Sequence, residues 1–463
     1  MNSQARRSAW PDLPDFAGHV ATLKGLRRLV DLGGEWPAPL RLAYPGLRVE
    51  TSERGDTRAA YVIAGDAAAL CGPDGTIARL GERLRKSPLI IVATEAEPSV
   101  RAALEEQGLH PEFAGRTRRD AADASHSGWL FVMDPALSAT HPPSDRATPP
   151  DDFHVVALLT VHNEADILRS TLEKLHAGGV DFYVIDNWST DESPEIARSF
   201  EGRGLVGFER FPARPSEHFS LRPLLGRVAD VAHELPASWC IHHDVDEVRL
   251  GPWPGVGLRE ALWRVDRAGY NAVDFTVVNF RPTDDGFVPG EDFERHLRHF
   301  EFGSSPDLLL QIKTWKNVRR VDLQRFGGHQ ALFPRRHVFP YKFLLKHYPI
   351  RSQTHGERKV LGERVNRWDP AERALGWHTQ YDDAATRPSF LASPDDLLED
   401  MTDIRTAYLP EALAGAGLSE PQIPGWALRG GRFAFVYVHS RWLARTRGYQ
   451  ALRNRIRAGR TAG

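Results

Sequence analysis

The sequence predicts an α/β protein whose central region forms a doubly wound, mostly parallel sheet. Strand-length apolar runs alternate with helical stretches between residues 153 and 243, which gives a βαβαβαβ series. The first run, VVALLTV, is apolar throughout, as expected of a strand buried on both faces. No run approaches the roughly 18 apolar residues of a membrane-spanning helix. These observations favour an open α/β sheet and argue against a membrane-spanning protein.

The N-terminal region, residues 1–137, has the pattern of a small α/β domain. Apolar strands are predicted at Ala60–Ala64, Leu89–Thr94 and Trp129–Met133, and a helix is predicted at Glu97–Gln107. This region carries neither a phosphate-binding loop nor a catalytic pair. We therefore expect it to have a structural or partner-binding role.

A linker and a C-terminal region flank the predicted central domain, residues 153–383. Residues 138–152 have the composition of a linker, with four prolines and no large apolar side chain. Residues 384–463 are expected to be mainly helical and basic. Their basic character is concentrated after Pro421, where no Asp or Glu follows. The arginines there could contact an anionic membrane surface or another polyanion. A terminal helix docked on acidic residues of its own chain is the favoured alternative.

The elements of the central domain follow from apolar periodicity and cap residues. Asn163 is predicted to cap the first helix, which Gly178-Gly179 ends. Ser193-Pro194 is predicted to begin the second helix. Strands are expected at Val155–Val161, Val180–Ile185, Leu205–Phe208 and Trp239–His242, and a long third helix at Leu221–Leu235.

Polar and acidic segments follow three of these strands, where ligands bind in open α/β sheets. They are His162–Asp166, Asp186–Ser193 and His243–Arg249. None of them is rich in glycine. This excludes the GxGxxG sequence of a dinucleotide-binding fold and the P-loop of a nucleotide triphosphatase.

Asp244-Val245-Asp246 is the most informative of these segments. Two carboxylates at i and i+2 at the end of a buried strand can share Mg²⁺ or Mn²⁺, which in turn bridges phosphate oxygens. An isolated D-x-D sequence is common in solvated acidic turns. Its position after the fourth strand, beside Glu247, favours a metal site here.

The composition restricts the classes of function. The 463 residues carry 59 Lys and Arg against 61 Asp and Glu, a net charge of −2, which argues against a dedicated nucleic-acid-binding protein. Two cysteines cannot form a disulfide framework. The first 16 residues lack the apolar segment of a secretory signal. We therefore expect a cytoplasmic protein, with peripheral contact at the inner membrane face as a further option.

Several segments together resemble a family 2-type glycosyltransferase with the GT-A fold. The resemblance lies in LLTVHNEADIL, VDFYVIDNWSTDES and HHDVDEV. The later segments GGHQALF and KHYPIRS are also similar to bacterial members of that superfamily and to family 92 glycosyltransferases. The resemblance covers about residues 153–383. It implies a metal-dependent, hexosyltransferase-like enzyme that uses a nucleotide-diphospho-sugar, a UDP-sugar first, and a glycan or lipid-linked acceptor.

The resemblance also implies contacts to the nucleotide and the metal. Asp244 and Asp246 would hold Mn²⁺ or Mg²⁺, with His347 as the first candidate to complete the metal shell and His329 as the second. Arg351 and Lys359 are candidate diphosphate contacts, with Arg358 and Arg364 nearby, unless these cations form a solvated surface. The implied nucleoside contacts are Thr160, His162, Glu164, Asp186, Ser189, Thr190 and Asp191.

An inverting transferase needs a base that deprotonates the acceptor hydroxyl. Family 2 enzymes often use the aspartate of a Glu-Asp pair, and Glu291-Asp292 is such a pair. Asp292 is the first candidate base, and Glu294, Asp284 and Asp285 compete with it. This stretch departs from the common family pattern, so the stereochemical outcome stays open.

Two other classes of function remain open at the level of sequence. The cluster His242-His243-Asp244-Val245-Asp246 suggests a metal-dependent phosphohydrolase, although the second ligand set of such enzymes is not evident. A non-catalytic carbohydrate-binding protein with the same fold is the other alternative. The intact Asp244 and Asp246 argue against the loss of catalysis.

Overall fold

The chain forms three β-sheets with helices packed on their faces. A computed structural model describes residues 13–33, 46–52, 59–117, 128–140, 148–303, 308–364, 367–374, 377–378 and 389–414.

The strands are numbered β1 to β17 in chain order. Before residue 138 they are β1 (Arg28–Asp31), β2 (Arg48–Glu50), β3 (Ala60–Ala64), β4 (Ile90–Thr94), β5 (Phe113–Arg116) and β6 (Trp129–Met133). The following strands are β7 (Val155–Val161), β8 (Asp181–Asp186), β9 (Leu205–Arg210), β10 (Trp239–Asp244), β11 (Glu247–Leu250) and β12 (Ala272–Val273). The last are β13 (Phe275–Arg281), β14 (His299–Phe302), β15 (Thr314–Lys316), β16 (Phe343–His347) and β17 (Leu398–Glu399).

The α-helices differ widely in length. The N-terminal region contains Leu13–Leu23, Ala67–Leu70, Thr76–Arg85, Glu97–Glu106 and Pro135–Ser138. The rest of the described chain contains Leu168–Ala177, Ser193–Arg198, Leu221–Glu234, Leu258–Arg267, Phe293–His296, Gln353–Gly356, Pro370–Ala374, Ile404–Ala407 and Leu409–Ala414. A π-helix spans Glu357–Arg364 and a 3₁₀ turn spans Pro394–Asp396. None of the helices in the described ranges is long and apolar enough to cross a bilayer.

The first sheet has the strand order β2-β1-β3-β4-β6-β5. Strands β2, β1, β3 and β4 are parallel, β6 pairs antiparallel with β4, and β5 pairs antiparallel with β6. Buried Val62 and Ile91 lie at the centre of β3 and β4. The α/β character that the sequence predicts for this region is confirmed.

The second sheet has the order β12-β15-β10-β7-β8-β9. Strands β10, β7, β8 and β9 are parallel, which confirms the predicted mostly parallel sheet. The chain moves outward from β7 through β8 to β9 and then returns to the other side of β7 as β10. This reversal creates a crevice between the carboxyl ends of β7 and β10, which is where open α/β sheets bind ligands.

Both faces of β7 are covered, which explains its unbroken apolar sequence. Successive side chains of a strand point to opposite faces. Val156 and Leu158 pack with the apolar face of helix Leu221–Glu234. Ala157 and Leu159 belong to the core that includes helix Leu168–Ala177.

The third sheet, with the order β11-β16-β13-β14-β17, was not predicted from the sequence. Strand β11 follows the Asp244-Val245-Asp246 turn directly and pairs antiparallel with β16, so that Glu247 lies opposite His347. The sheet therefore brings a histidine that is about 100 residues away in sequence next to the acidic turn.

Buried polar contacts connect the N-terminal region to the central region. Asp134 accepts hydrogen bonds from Lys24 (2.5 Å) and from the Tyr341 hydroxyl (2.8 Å). The Trp253 indole donates to Glu112 over 2.7 Å. These bonds join residues beside the first sheet to residues beside the third, while the proposed domain boundaries at 137 and 153 stay predictions.

The predicted cap of the first central helix is wrong. Asn163 lies in the left-handed region at φ +54° and its side chain accepts from the Thr190 amide (2.8 Å). The helix begins only at Leu168, with no side-chain cap. Residues 163–167 form a loop because their polar groups bond to a neighbouring loop instead of a helix end. The other predicted boundary, at Gly178-Gly179, is confirmed, with Gly179 at φ +72°.

Part of the predicted C-terminal region lies outside the described residues. Within 389–414, a short strand and the helices Ile404–Ala407 and Leu409–Ala414 are present. The arginine-rich stretch from Pro421 onward and residues 141–147 of the predicted linker belong to the ranges that the structure leaves undescribed.

Candidate functional site

The candidate site lies at the crevice between β7 and β10. Thr160 near the end of β7 pairs in register with Asp244 at the end of β10. The loop that follows β7 and the turn that follows β10 therefore leave the sheet side by side. Most of the residues that the sequence analysis selected lie on these two segments or face them.

The loop after β7 and the loop after β8 are bonded to each other. The Asn163 amide donates to Ser189 Oγ (3.0 Å), and the Ala165 amide donates to an Asp191 carboxylate oxygen (3.0 Å). Thr190 donates its amide hydrogen to Asn163. Ser189, Thr190 and Asp191 thus hold the two loops together, and their predicted contact with a nucleoside stays a prediction.

Asp186 is also engaged within its own loop. Its carboxylate is buried, accepts from the Ser189 amide at 3.3 Å and pairs with Arg210 at 3.3 Å. Arg210 in turn lies over the Trp188 ring, 5.1 Å from its centroid. Asp186 lies at the end of β8, and its contacts with Ser189 and Arg210 order the loop that follows this strand.

His162 is held as a neutral imidazole. Its Nδ1 donates to the Asn187 carbonyl (2.8 Å), and its Nε2 accepts from the Arg367 guanidinium. Burial and the charge of Arg367 lower the pKa of His162. Arg367 comes from a segment about 200 residues away, so no local pattern in the sequence indicated it.

A buried network of charges joins the β7 loop to the acidic turn. Lys359 Nζ lies 2.8 Å from Glu164 and 3.0 Å from Asp246. Arg351 lies 2.5 Å from Glu164 and 2.9 Å from Asp166. Burial alone would raise the pKa of Glu164, but Arg351 and Lys359 outweigh it and lower that pKa to about 2. The structure therefore brings four of the predicted donor-site residues into one cluster.

The charges of this network nearly cancel. Three carboxylates, Glu164, Asp166 and Asp246, face the cations Arg351 and Lys359, and Arg364 reaches Glu164 at 3.9 Å. Burial would raise the pKa of Asp246, and Lys359 followed by His347 lower it. Asp246 is therefore ionised at neutral pH.

A second network surrounds Asp244. Lys313 lies 2.7 Å from Asp244 and 2.9 Å from Glu247, and Arg249 also pairs with Glu247. Lys313 is buried because its segment runs beside β10, where its carbonyl accepts from the His242 amide (2.8 Å). Sequence reasoning missed Lys313, since nothing in QIKTWK distinguishes a buried lysine from an exposed one.

His347 faces Asp246, and its predicted role in a metal shell stays a prediction. Its Nε2 lies 3.8 Å from Asp246 Oδ1, and its Nδ1 is bonded to Asn279 Oδ1 at 3.0 Å. With the Asn279 oxygen as acceptor, Nδ1 donates, and Nε2 is the ring nitrogen that lies toward Asp246. In metal sites, a hydrogen bond from the other ring nitrogen orients a histidine ligand in the same way.

Asp246 and His347, 3.8 Å apart, are the two predicted ligands that lie together, and their binding of a divalent cation stays a prediction. Among the described residues, no cluster of three or more His, Cys, Asp or Glu side chains could hold a metal ion. Mg²⁺ sites on phosphate substrates often use one or two carboxylates together with phosphate oxygens and waters. Asp244 is held by Lys313, and the second histidine candidate, His329, is bonded to Gln311 (2.8 Å).

The candidate bases form a cluster of their own. Lys174 lies 2.9 Å from Asp292 and 2.9 Å from Glu294, and Glu294 also pairs with Lys346 at 3.3 Å. Asp292 caps the short helix Phe293–His296 through the Glu294 amide. Just before this cluster in sequence, the Gly290 amide donates to the Asp166 carbonyl (2.8 Å). The segment with the candidate bases therefore contacts the loop that follows β7.

Comparison with known proteins finds similarity to solved structures. No family model and no curated protein matches the chain. The chain is similar to S. aureus TarS 1-349 in complex with UDP, at 8% identity, over 51% of this chain and 72% of that chain, with a TM-score of 0.25. It is also similar to S. aureus TarS 1-349, at 10% identity, over 66% of this chain and 92% of that chain, with a TM-score of 0.28. A third match is S. aureus TarS, at 10% identity, over 48% of this chain and 42% of that chain, with a TM-score of 0.25. At these TM-scores the likeness carries no argument for an activity.

Proposed function

We propose that the chain is a glycosyltransferase that moves a sugar from a nucleotide-diphospho-sugar to a glycan or lipid-linked acceptor. A hexose is the first candidate for the transferred sugar. The observation that carries the proposal is the buried network at the sheet crevice. It places Asp246, Lys359, Glu164 and Arg351 in one chain of ion pairs beside His347. The resemblance to family 2-type glycosyltransferases supports the same assignment.

The leaving group of such a reaction is a nucleoside diphosphate, whose negative charge grows as the glycosidic bond to phosphate breaks. Preorganised cations lower the energy of that charge in a site from which water is excluded. Lys359 and Arg351 are buried and already paired with Glu164, Asp166 and Asp246, so a diphosphate would take over part of these contacts. We assign them to the diphosphate.

A divalent metal is part of the proposal. Mn²⁺ or Mg²⁺ held by Asp246 and His347 would supply Lewis-acid stabilisation of the diphosphate. The charges of the surrounding network nearly cancel, so a cation and a diphosphate that neutralise each other add little net charge to the crevice.

The nucleoside is proposed to lie against the loops that follow β7 and β8, beside Thr160 and His162. The acceptor hydroxyl is proposed to approach Asp292. Asp292 is 2.9 Å from Lys174, so its carboxylate lies beside a cation at the proposed acceptor position. Glu294 is the alternative base because it shares Lys174.

A thermal-shift series tests the donor assignment. UDP-, GDP-, CMP- and TDP-sugars are added with and without Mn²⁺, since a ligand that binds the native state raises its apparent stability. We expect one nucleotide class to raise the melting temperature, and more so with Mn²⁺. A rise with free sugars alone, independent of nucleotide and metal, would favour a carbohydrate-binding protein instead.

A further inference from the structure

One buried side chain of the network has a polar atom without a partner. His355 lies between Arg351 and Lys359 in sequence and is 7% exposed. In the described part of the chain, its Nε2 is buried and makes no hydrogen bond. Leaving a buried donor or acceptor unpaired is costly, so this atom is available to pair with a water or with a group of a bound ligand.

The protonation of the imidazole follows from its other nitrogen. The Arg351 backbone amide, which can only donate, points at His355 Nδ1 over 3.4 Å. Nδ1 therefore carries a lone pair and Nε2 carries the proton. Burial, then Arg351 and Lys359, lower the pKa of His355 strongly, so the ring is neutral. The unpartnered atom is a neutral N–H donor.

The His355 ring lies close to the charge network, since the charges of Arg351, Lys359 and Glu164 all act on it. His355 and Lys359 are four residues apart in a continuous helical stretch and so share a face. The neighbouring face is occupied, because Gly356 and Val360 pack on Phe390. Ser352 caps the turn by accepting from the His355 amide (3.0 Å), which holds the ring in place.

We propose that His355 is a binding residue for the diphosphate, to which Nε2–H donates alongside Arg351 and Lys359. The inference rests on the proposed function in placing a diphosphate at this network. Phosphate oxygens are acceptors only, so they match a donor that stays neutral between two cations. A neutral donor adds a directed contact without adding charge.

Titration calorimetry with inorganic pyrophosphate and with UDP tests this directly. We expect His355→Leu to weaken the binding of both probes about tenfold, because a hydrogen bond to a charged acceptor is lost. His355→Gln keeps a neutral N–H donor and should bind within about threefold of the wild type. His19→Leu, which removes a buried histidine from the N-terminal region, is the matched control and should bind as the wild type does.

Three results would overturn the inference. They are pyrophosphate binding by His355→Leu at wild-type affinity, equal loss in the Leu and Gln variants, and no binding of pyrophosphate by the wild type. Melting temperatures recorded in parallel show whether each variant is folded. His355-dependent pyrophosphate binding without turnover of any nucleotide-sugar would keep this inference and refute the proposed function.

Discussion

At the scale of single residues, the site is defined by buried ion pairs. Asp244 and Asp246 could be selected from the sequence because they follow an apolar strand, whereas His347, Arg351 and Lys359 were selected through the resemblance to family 2-type glycosyltransferases. The pairing itself could not be predicted. Lys313, His355 and Arg367 reach the site through sheet register or through loops distant in sequence.

Lys359→Met should destabilise the fold. The change leaves Asp246 and Glu164 buried with one cation fewer, and breaking a buried pair costs about 3 kcal/mol or more. Urea denaturation of both proteins measures the loss. Lys86→Met removes an exposed i,i+4 partner of Glu82 and should leave the unfolding midpoint unchanged. An equal effect of the two substitutions would show that the network is not buried in solution.

Asp292→Asn should abolish catalysis while leaving the donor site intact. Loss of a general base lowers kcat by about 10²- to 10⁴-fold. UDP affinity should stay at the wild-type value, because Asp292 pairs with Lys174 outside the ion-pair network of the donor site. Steady-state kinetics with calorimetry separates the two effects. If Glu294→Gln loses turnover and Asp292→Asn retains it, the base is Glu294.

At the scale of elements, the sequence predicted the parallel strands and most helix boundaries but not the third sheet. Apolar runs and Gly-Gly helix ends are local features of the sequence. Strands β7 to β10 and the helix end at Gly178 can therefore be predicted from a few neighbouring residues. Strand β11 is four residues long and includes the buried charged residues Glu247 and Arg249. Its pairing with β16 depends on a partner about 100 residues away, which explains why local patterns did not reveal it.

Glu372 caps helix Leu221–Glu234 from a distant segment. Its carboxylate accepts from the Leu221 (2.9 Å) and Arg222 (2.6 Å) amides, where the helix dipole favours negative charge. Glu372→Gln should therefore lower the free energy of unfolding by about 1 kcal/mol. Chemical denaturation measures this difference.

The matched control lies at the other end of the same helix. Glu234→Gln changes an exposed carboxylate near the carboxyl terminus and should alter stability by less than about 0.5 kcal/mol. A larger effect of Glu234→Gln than of Glu372→Gln would contradict the capping assignment.

At the scale of the whole molecule, buried polar groups connect the N-terminal sheet to the central region. His19 lies within the N-terminal helix and is buried. Burial, and then the charge of Lys342 from the central region, lower its pKa to about 3. The stability of the folded chain should therefore depend on pH through this contact.

Acid should destabilise the protein below about pH 6.5. The unfolded chain binds a proton at His19 near pH 6.5, whereas the folded chain binds it only near pH 3. The stability present above pH 6.5 is therefore lost as the pH falls, by up to about 2 kcal/mol at pH 5. His242 and His243, with pKa values lowered by burial to about 4 and about 3, act in the same direction.

Denaturation curves at pH 7.5 and pH 5.0 test whether acid lowers the stability and whether His19 contributes to the loss. His19→Leu should lose less stability between the two values than the wild type does. A wild-type protein that is more stable at pH 5.0 would contradict the assignment of neutral buried histidines.

The central claim is that the crevice between β7 and β10 transfers a sugar from a nucleotide-diphospho-sugar. Incubation of the wild type and Asp246→Asn with UDP-sugars and Mn²⁺, followed by quantification of released UDP and inorganic phosphate, tests it most directly. We predict that the wild type releases UDP together with a glycosylated acceptor, and that Asp246→Asn releases less than about a hundredth as much. Release of inorganic phosphate by the wild type, or equal turnover by Asp246→Asn, would contradict the claim.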